Sequence, residues 1–147
     1  LMNFNTNYKF TVAGSNPPKW LQEFDKNNSF IDLISNPENM NDIISDHLIV
    51  VAPLISGSGQ QFKIIESLAS GIPVITTSIG AEPFQLLNRV HCLIADDPES
   101  FANCIIELFE EKELHSSLSM QGQQLANQSY SWKSITEKML IDGAYKK

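Results

Sequence analysis

The sequence predicts an α/β fold with a parallel sheet and helices on both faces. Short runs rich in β-branched and aromatic residues alternate with segments in which apolar residues recur at helical spacing. The run at residues 47–52 is continuously apolar, as expected for a strand that is buried on both faces. The chain has 147 residues, of which 42% are hydrophobic and 18% charged. We therefore predict a single folded domain over residues 1–147.

The first half of the chain contains two strand-to-helix transitions. Residues 8–13 are β-rich, and the two prolines after Asn16 can open a helix that carries Trp20 and Phe24. Residues 30–34 form a second short strand, closed by the loop Ser35-Asn36-Pro37, and a second helix is predicted around Ile43.

The second half repeats this pattern with stronger signals. Pro53 ends the strand at 47–52, and a helix over residues 60–70 is stopped by Gly71 with Pro73 two residues later. Strands are predicted at 73–77 and 90–95, and Asp97 caps a helix that begins at Pro98. Further helices are predicted at 113–128 and, as the closing helix, at 131–147.

Composition excludes several classes of partner and site. The net charge is −7 and the basic residues are scattered, so nucleic acid is not an expected partner. No run approaches the roughly 20 apolar residues that span a bilayer, and no signal peptide is evident, which predicts a cytoplasmic protein. Cys92 and Cys104 are expected to be reduced thiols. The histidines are well separated and lack metal-ligand spacing, so no metal site is predicted.

One segment, residues 57–66, has the features of an anion-binding helix start. The turn Gly57-Ser58-Gly59 lets the backbone approach a ligand and leads through Gln60 and Gln61 into a helix. The first N–H groups of a helix lack intrahelical partners and carry partial positive charge, so a diphosphate fits there. Glu66 lies about two turns further on and could accept hydrogen bonds from ribose hydroxyls. Lys63 could add charge beside a phosphate, although an ion pair with Glu66 is the favoured interpretation.

Other nucleotide-binding and catalytic motifs do not match. A phosphate-loop NTPase has glycine directly before the lysine, whereas Phe62 precedes Lys63 here, and neither G-x-G-x-x-G nor G-x-S-x-G occurs. A receiver-like signalling module has acidic residues at the carboxyl ends of strands, but Asp46 precedes its predicted strand.

Residues 46–81, including the stretch APLISGSGQQFKIIESLASGIPVITTSIGA, resemble the donor-site signature of family 4 glycosyltransferases (glycosyl transferases group 1), which have the GT-B fold. The segments VHCLIADDPESFANCIIELF and SYSWKSITEKML resemble later parts of the same domain. The resemblance implies a Rossmann-like, doubly wound, C-terminal donor-binding domain that lacks its first βα unit.

The resemblance also implies roles for individual residues. Glu66 matches the second glutamate of the E-x7-E motif, which binds the donor ribose, while the first glutamate is replaced by Ser58. In a G-S-G variant of the motif, the amides of Gly59, Gln60 and Gln61 would hold the diphosphate, and Ser58 would offer its hydroxyl to sugar or phosphate. The loop Ser35, Asn36, Pro37 would lie beside the base.

At the level of the whole protein, the resemblance implies metal-independent transfer of a sugar from a nucleoside diphosphate sugar to a glycan or lipid acceptor, with retention of configuration. It implies no cofactor, a role in polysaccharide biosynthesis and association of the full-length enzyme with the inner face of the membrane. The acceptor site would belong to an N-terminal domain of the same polypeptide, so this chain alone is expected to be inactive and to carry no catalytic residue. Three alternatives remain: a degenerate glycosyltransferase domain kept for assembly, a non-catalytic binding module, and an epimerase or phosphorylase of the same fold.

Overall fold

The computed structural model describes residues 8–56 and 62–131. The chain forms two compact units, and the boundary between them falls between Ile43 and Ile44. Both contain parallel strands joined by helices, which confirms the predicted α/β class. The predicted closing helix lies outside the described residues, apart from Ser131.

The first unit is built on two parallel strands. Strand β1 (Phe10–Gly14) pairs with β2 (Ile31–Ser35), in a register that sets Phe10 opposite Ile31 and Gly14 opposite Ser35. Helix α1 (Lys19–Asn27) connects them and begins after Pro18, whose extended backbone serves as the N-cap. Both strands and the proline-started helix agree with the sequence predictions. Helix α2 (Met40–Ser45) follows in the chain.

The second unit holds a three-stranded parallel sheet in the order β3-β4-β5, formed by Val50–Ala52, Val74–Thr76 and Leu93–Ile94. Helix α3 (Phe62–Ala69) precedes β4, and a short helix α4 (Ser78–Ala81) with a 3-10 turn (Glu82–Phe84) follows it. Helices α5 (Pro98–Glu110) and α6 (Lys112–Ser129) come after β5.

Helices cover both faces of this three-stranded sheet. Val74 packs in a cluster with Ile64 and Leu68 of α3, whereas the next residue, Ile75, packs with Leu108 of α5. Successive side chains of a strand point to opposite faces, so α3 and α5 lie on opposite sides of β4. Helix α6 contributes to both clusters through Leu118 and Ala126.

Two predicted strands are shorter in the structure because their first residues form turns. The amide of His47 donates to the carbonyl of Ile44, and β3 begins only at Val50. The amide of His91 donates to the carbonyl of Leu87, and β5 begins at Leu93. Apolar character continued through these turns and concealed them in the sequence. Among the described helices, none is both long and apolar enough to cross a membrane.

Candidate functional site

The charged side chains of helix α3 lie on the side of the helix that faces away from the core. Ile64, Ile65 and Leu68 are buried, whereas Lys63 is exposed and Glu66 is partly exposed. The spacing of the apolar residues fixes this orientation, since residues three or four apart share one face of a helix. The sequence therefore turns the predicted ribose-binding carboxylate away from the core.

The predicted ion pair between Lys63 and Glu66 is present. The Nζ atom of Lys63 lies 2.6 Å from Oε2 of Glu66, and the two side chains are 58% and 39% exposed. Ion pairs that are this exposed to solvent contribute about 0–1 kcal/mol to the free energy of unfolding. The carboxylate is thus held by a weak contact on one oxygen, which leaves it able to accept other donors.

The carboxyl end of α3 closes as the sequence predicts. Gly71 adopts a left-handed conformation with φ of 75°, its amide donates to the carbonyl of Leu68 and the amide of Ile72 donates to that of Ser67. This pair of hydrogen bonds is a Schellman motif, which satisfies carbonyls that a helix end would otherwise leave free.

Helix α6 adds a second clamp at the same end. The hydroxyl of Ser119 donates to the carbonyl of Gly71 at 2.6 Å, and the side-chain amide of Gln123 donates to that of Ala69 at 3.1 Å. A Cβ atom at Gly122 would lie 2.7 Å from Cδ2 of Leu68. The glycine therefore permits a close approach of α6 to α3, the helix that carries Glu66.

The carboxyl ends of the second unit's strands are joined by side chains that sequence reasoning missed. The hydroxyl of Thr77 donates to the carbonyl of Leu54 at 2.8 Å, and Asp96 accepts from the amide and the hydroxyl of Ser78 at 2.8 and 2.6 Å. These hydrogen bonds to the charged form lower the pKa of Asp96. The bonded residues are 18 and 23 positions apart, so no local pattern could reveal them.

In the first unit, the predicted base-side loop has a defined backbone. Asn36 adopts φ of 52°, its amide donates to the carbonyl of Gly14 at 2.8 Å and its Oδ1 accepts from the amide of Asn16 at 3.0 Å. Asn16 has a similar φ of 51°. Asparagine is among the few residues that tolerate this region. The chain thus places hydrogen-bonded asparagine turns at the carboxyl ends of β1 and β2.

The remaining predicted site residues lie outside the described part of the chain. These are the residues of the glycine segment: Gly57, Ser58, Gly59, Gln60 and Gln61. Among the described predicted residues, Lys63 and Glu66 are brought together, while Ser35, Asn36 and Pro37 belong to the first unit.

The surface offers an acidic depression that is unsuited to a nucleotide. It lies at the junction of α5 and α6 and is lined by Glu110, Glu111, Lys112 and Glu113. Three carboxylates against one ammonium repel a diphosphate. Within residues 8–56 and 62–131, no group of three or more His, Cys, Asp or Glu residues is placed to hold a metal ion.

Comparison with known proteins identifies the family. Residues 2–111 match the profile of the family described as glycosyl transferases group 1. The chain belongs to this family. An uncharacterized 44.6 kDa protein in the cps region of Klebsiella pneumoniae is 28% identical over 109 residues, which are 69% of this chain and 28% of that protein.

Solved structures, a glycosyltransferase domain among them, share the fold. The Anabaena protein HepE, in complex with UDP, superposes with a TM-score of 0.77 at 14% identity, covering 92% of this chain and 40% of that one. The C-terminal domain of a group 1 glycosyltransferase from Francisella tularensis superposes with a TM-score of 0.67 at 21% identity, covering 78% of this chain and 62% of that domain. The chain spans less than half the length of the Klebsiella and Anabaena proteins. Its fold matches part of the GT-B fold of glycosyltransferases.

Proposed function

We propose that this chain is the donor-binding part of a retaining, family 4 glycosyltransferase that takes a sugar from a nucleoside diphosphate sugar, and that Glu66 binds the donor ribose. The observation that carries the proposal is the placement of Glu66 on the open side of α3, in a chain that belongs to the group 1 glycosyltransferases. The acceptor side of the reaction is assigned to the rest of the polypeptide.

The chemistry of α3 supports this role. A carboxylate with two oxygens can accept from both hydroxyls of a ribose, and such charged hydrogen bonds contribute about 1.5–3 kcal/mol each when water is excluded. The weak pair with Lys63 offsets little of this gain. Lys63 can then turn its ammonium towards the nucleotide's phosphates without leaving the helix surface.

The diphosphate would be held at the start of the same helix. The predicted turn over Gly57, Ser58 and Gly59 is separated from α3 by two glutamines, and free amides at a helix start favour an anion. These amides would stabilise the charge that develops on the leaving diphosphate, so sugar transfer would not need a metal ion. Ser58, which replaces the first motif glutamate, would offer a hydroxyl in place of a carboxylate.

UDP is the donor nucleotide we propose, because HepE, which shares the fold, was solved with UDP. The test is calorimetric titration of the chain with UDP, and with ADP and GDP as competitors, with and without EDTA. We expect UDP to bind, with the same affinity in EDTA. Glu66→Ala should weaken binding at least roughly tenfold, because each hydrogen bond that it removes contributes about 1.5–3 kcal/mol.

The matched control is Glu110→Ala. Glu110 is an exposed glutamate at the end of α5, so the variant removes the same side chain and the same charge from the same unit. Its UDP affinity should equal that of the parent chain. Equal weakening by both substitutions would show a general effect of charge and would contradict a specific role for Glu66.

A further inference from the structure

Helix α6 holds the carboxyl end of α3 through two side chains that lie four positions apart. The hydroxyl of Ser119 donates to the carbonyl of Gly71 at 2.6 Å, and the side-chain amide of Gln123 donates to the carbonyl of Ala69 at 3.1 Å. Side chains at this spacing share one face of a helix, so both reach α3 from the same side of α6. Ser119 and Gln123 together form the α6 clamp.

Glu66 is linked to the clamped end of α3 through Ser70. The amide and the hydroxyl of Ser70 both donate to the carbonyl of Glu66, each at 3.0 Å. Ser70 stands in the chain between Ala69 and Gly71, whose carbonyls accept from the α6 clamp. The backbone of Glu66 is therefore hydrogen-bonded to the residue that the clamp holds from both sides.

Tight packing surrounds the clamped end. A Cβ atom at Gly71 would lie 3.2 Å from Nε2 of Gln123 and 3.5 Å from Oγ of Ser119. A Cβ atom at Gly122 would lie 2.7 Å from Cδ2 of Leu68. A shift of α3 relative to α6 would therefore break the hydrogen bonds of the clamp or press Leu68 against the α6 backbone, and close-packed interiors resist such a shift.

We propose that Ser119 and Gln123 are positioning residues for recognition of the donor ribose: by holding the carboxyl end of α3, they fix the direction in which Glu66 presents its carboxylate. The inference rests on the proposed function, because it takes the ribose as the ligand of Glu66. Neither clamp residue contacts the nucleotide in this account. A carboxylate that accepts from two neighbouring hydroxyls needs a defined orientation, and the cost of binding is lower when that orientation is fixed beforehand.

The same helix contains a matched pair of control residues. Ser117 and Gln121 are also a serine and a glutamine four positions apart, but the side-chain amide of Gln121 donates to the hydroxyl of Ser117 at 3.1 Å, within α6. Changing either pair to alanine removes the same atoms from one helix and alters its helix propensity in the same way. The two double variants differ in whether the lost hydrogen bonds end on α3.

The experiment measures the affinities of UDP and 2′,3′-dideoxy-UDP by calorimetry for the parent chain and the two double variants. Ser119→Ala/Gln123→Ala should weaken UDP about fivefold and the dideoxy nucleotide less than about twofold, because the orientation of the carboxylate matters only where ribose hydroxyls are present. Ser117→Ala/Gln121→Ala should leave both affinities within about twofold of the parent. In a Glu66→Ala background the clamp substitutions should change UDP affinity less than about twofold, since the carboxylate that they orient is gone.

Equal weakening of UDP and the dideoxy nucleotide, or unchanged UDP affinity in Ser119→Ala/Gln123→Ala, would overturn the proposal and leave the clamp as a purely structural contact. If that double variant does not fold, Gln123→Ala is compared in the same way with Gln121→Ala. Failure of the parent chain to bind UDP would contradict the proposed function. Amide hydrogen exchange of residues 66–72 without nucleotide would then decide whether the clamp fixes α3: faster exchange in the clamp variant than in the control supports it, and equal exchange overturns it.

Discussion

Glu66, the residue that we propose binds the donor ribose, should contribute little to folding. Its carboxylate is partly exposed and its contact with Lys63 is a surface ion pair. Removing either side chain should therefore change stability by less than about 1 kcal/mol. Glu66 is consequently a position where loss of binding can be separated from loss of fold.

Buried Cys92 leads to a prediction at the same scale. Burial raises the pKa of its thiol to about 12, and burial also raises the pKa of the partly exposed Cys104. Because the thiolate is the reactive form, Cys92 should not react in the folded protein near neutral pH.

The measurement is alkylation with iodoacetamide at pH 8 in a Cys104→Ser variant, followed by mass spectrometry. We expect modification of Cys92 only after denaturant unfolds the chain. Rapid modification in the native protein would contradict the buried position of Cys92. The sequence predicted reduced thiols for both cysteines, but their different exposures depend on tertiary packing.

At the scale of elements, helix ends were predictable and short elements were not. The stop at Gly71 and the start at Asp97 and Pro98 follow from local rules of backbone conformation and capping, and both appear in the structure. Helix α4 has four residues, too few to show periodicity, and it was missed. Its N-cap residue, Thr77, accepts a hydrogen bond from the Gly80 amide, which is a local contact. Thr77 also donates a hydrogen bond to the carbonyl of Leu54, which is distant in sequence.

Because α6 packs closely on α3 at Gly122, a larger side chain at this position should destabilise the fold. Gly122→Val should lower the free energy of unfolding by about 1–3 kcal/mol, because its side chain would overlap Leu68 and the carbonyl of His91. Urea denaturation measures this loss. Gln124→Val is the control, since it places the same β-branched residue at an exposed position of α6. Valine has a higher helix propensity than glycine and a lower one than glutamine, so propensity alone would favour Gly122→Val. A loss in Gly122→Val no larger than that in Gln124→Val would contradict the close packing of α6 on α3.

The start of α5 predicts a dependence of stability on pH. Hydrogen bonds from the hydroxyl and the amide of Ser100 lower the pKa of Asp97. A carboxylate whose pKa is lower in the folded than in the unfolded state stabilises the fold above its unfolded pKa of about 3.9, and this contribution is lost as the pH falls through the folded pKa.

Asp97→Asn tests this effect, because asparagine also caps a helix but does not titrate. Urea denaturation between pH 3 and pH 7 should show a shallower loss of stability at the acidic end in the variant than in the parent. Identical pH profiles would show that the carboxylate of Asp97 does not contribute to acid sensitivity.

At the scale of the whole molecule, the sequence supplied the α/β class and the family resemblance, while the structure supplied the contacts that support the site. Alternating strands and helices predicted parallel pairing, which both sheets show. The assignment of residues 1–147 to one domain remains a prediction, as does the role of Ser35, Asn36 and Pro37 beside the base. The links from Thr77 to Leu54 and from α6 to α3 join residues far apart in sequence, which spacing rules cannot reach.

The share of its relatives that this chain covers leads to a prediction about sugar transfer. The chain spans 28% of the Klebsiella protein and 40% of the Anabaena protein, so an acceptor site formed by the remainder would be missing from it. We predict that the chain binds UDP and does not transfer a sugar from a UDP-sugar to a saccharide acceptor. Chromatographic detection of product with this chain alone would contradict that prediction.

The central claim is that Glu66 recognises the ribose of the donor nucleotide. The most direct measurement is a cycle of four affinities, for UDP and 2′,3′-dideoxy-UDP binding to the parent chain and to Glu66→Gln. Our account predicts that the substitution weakens UDP at least tenfold and the dideoxy nucleotide less than about twofold, because the lost hydrogen bonds end on the ribose hydroxyls. Equal weakening of both nucleotides would contradict the assignment of Glu66 to the ribose.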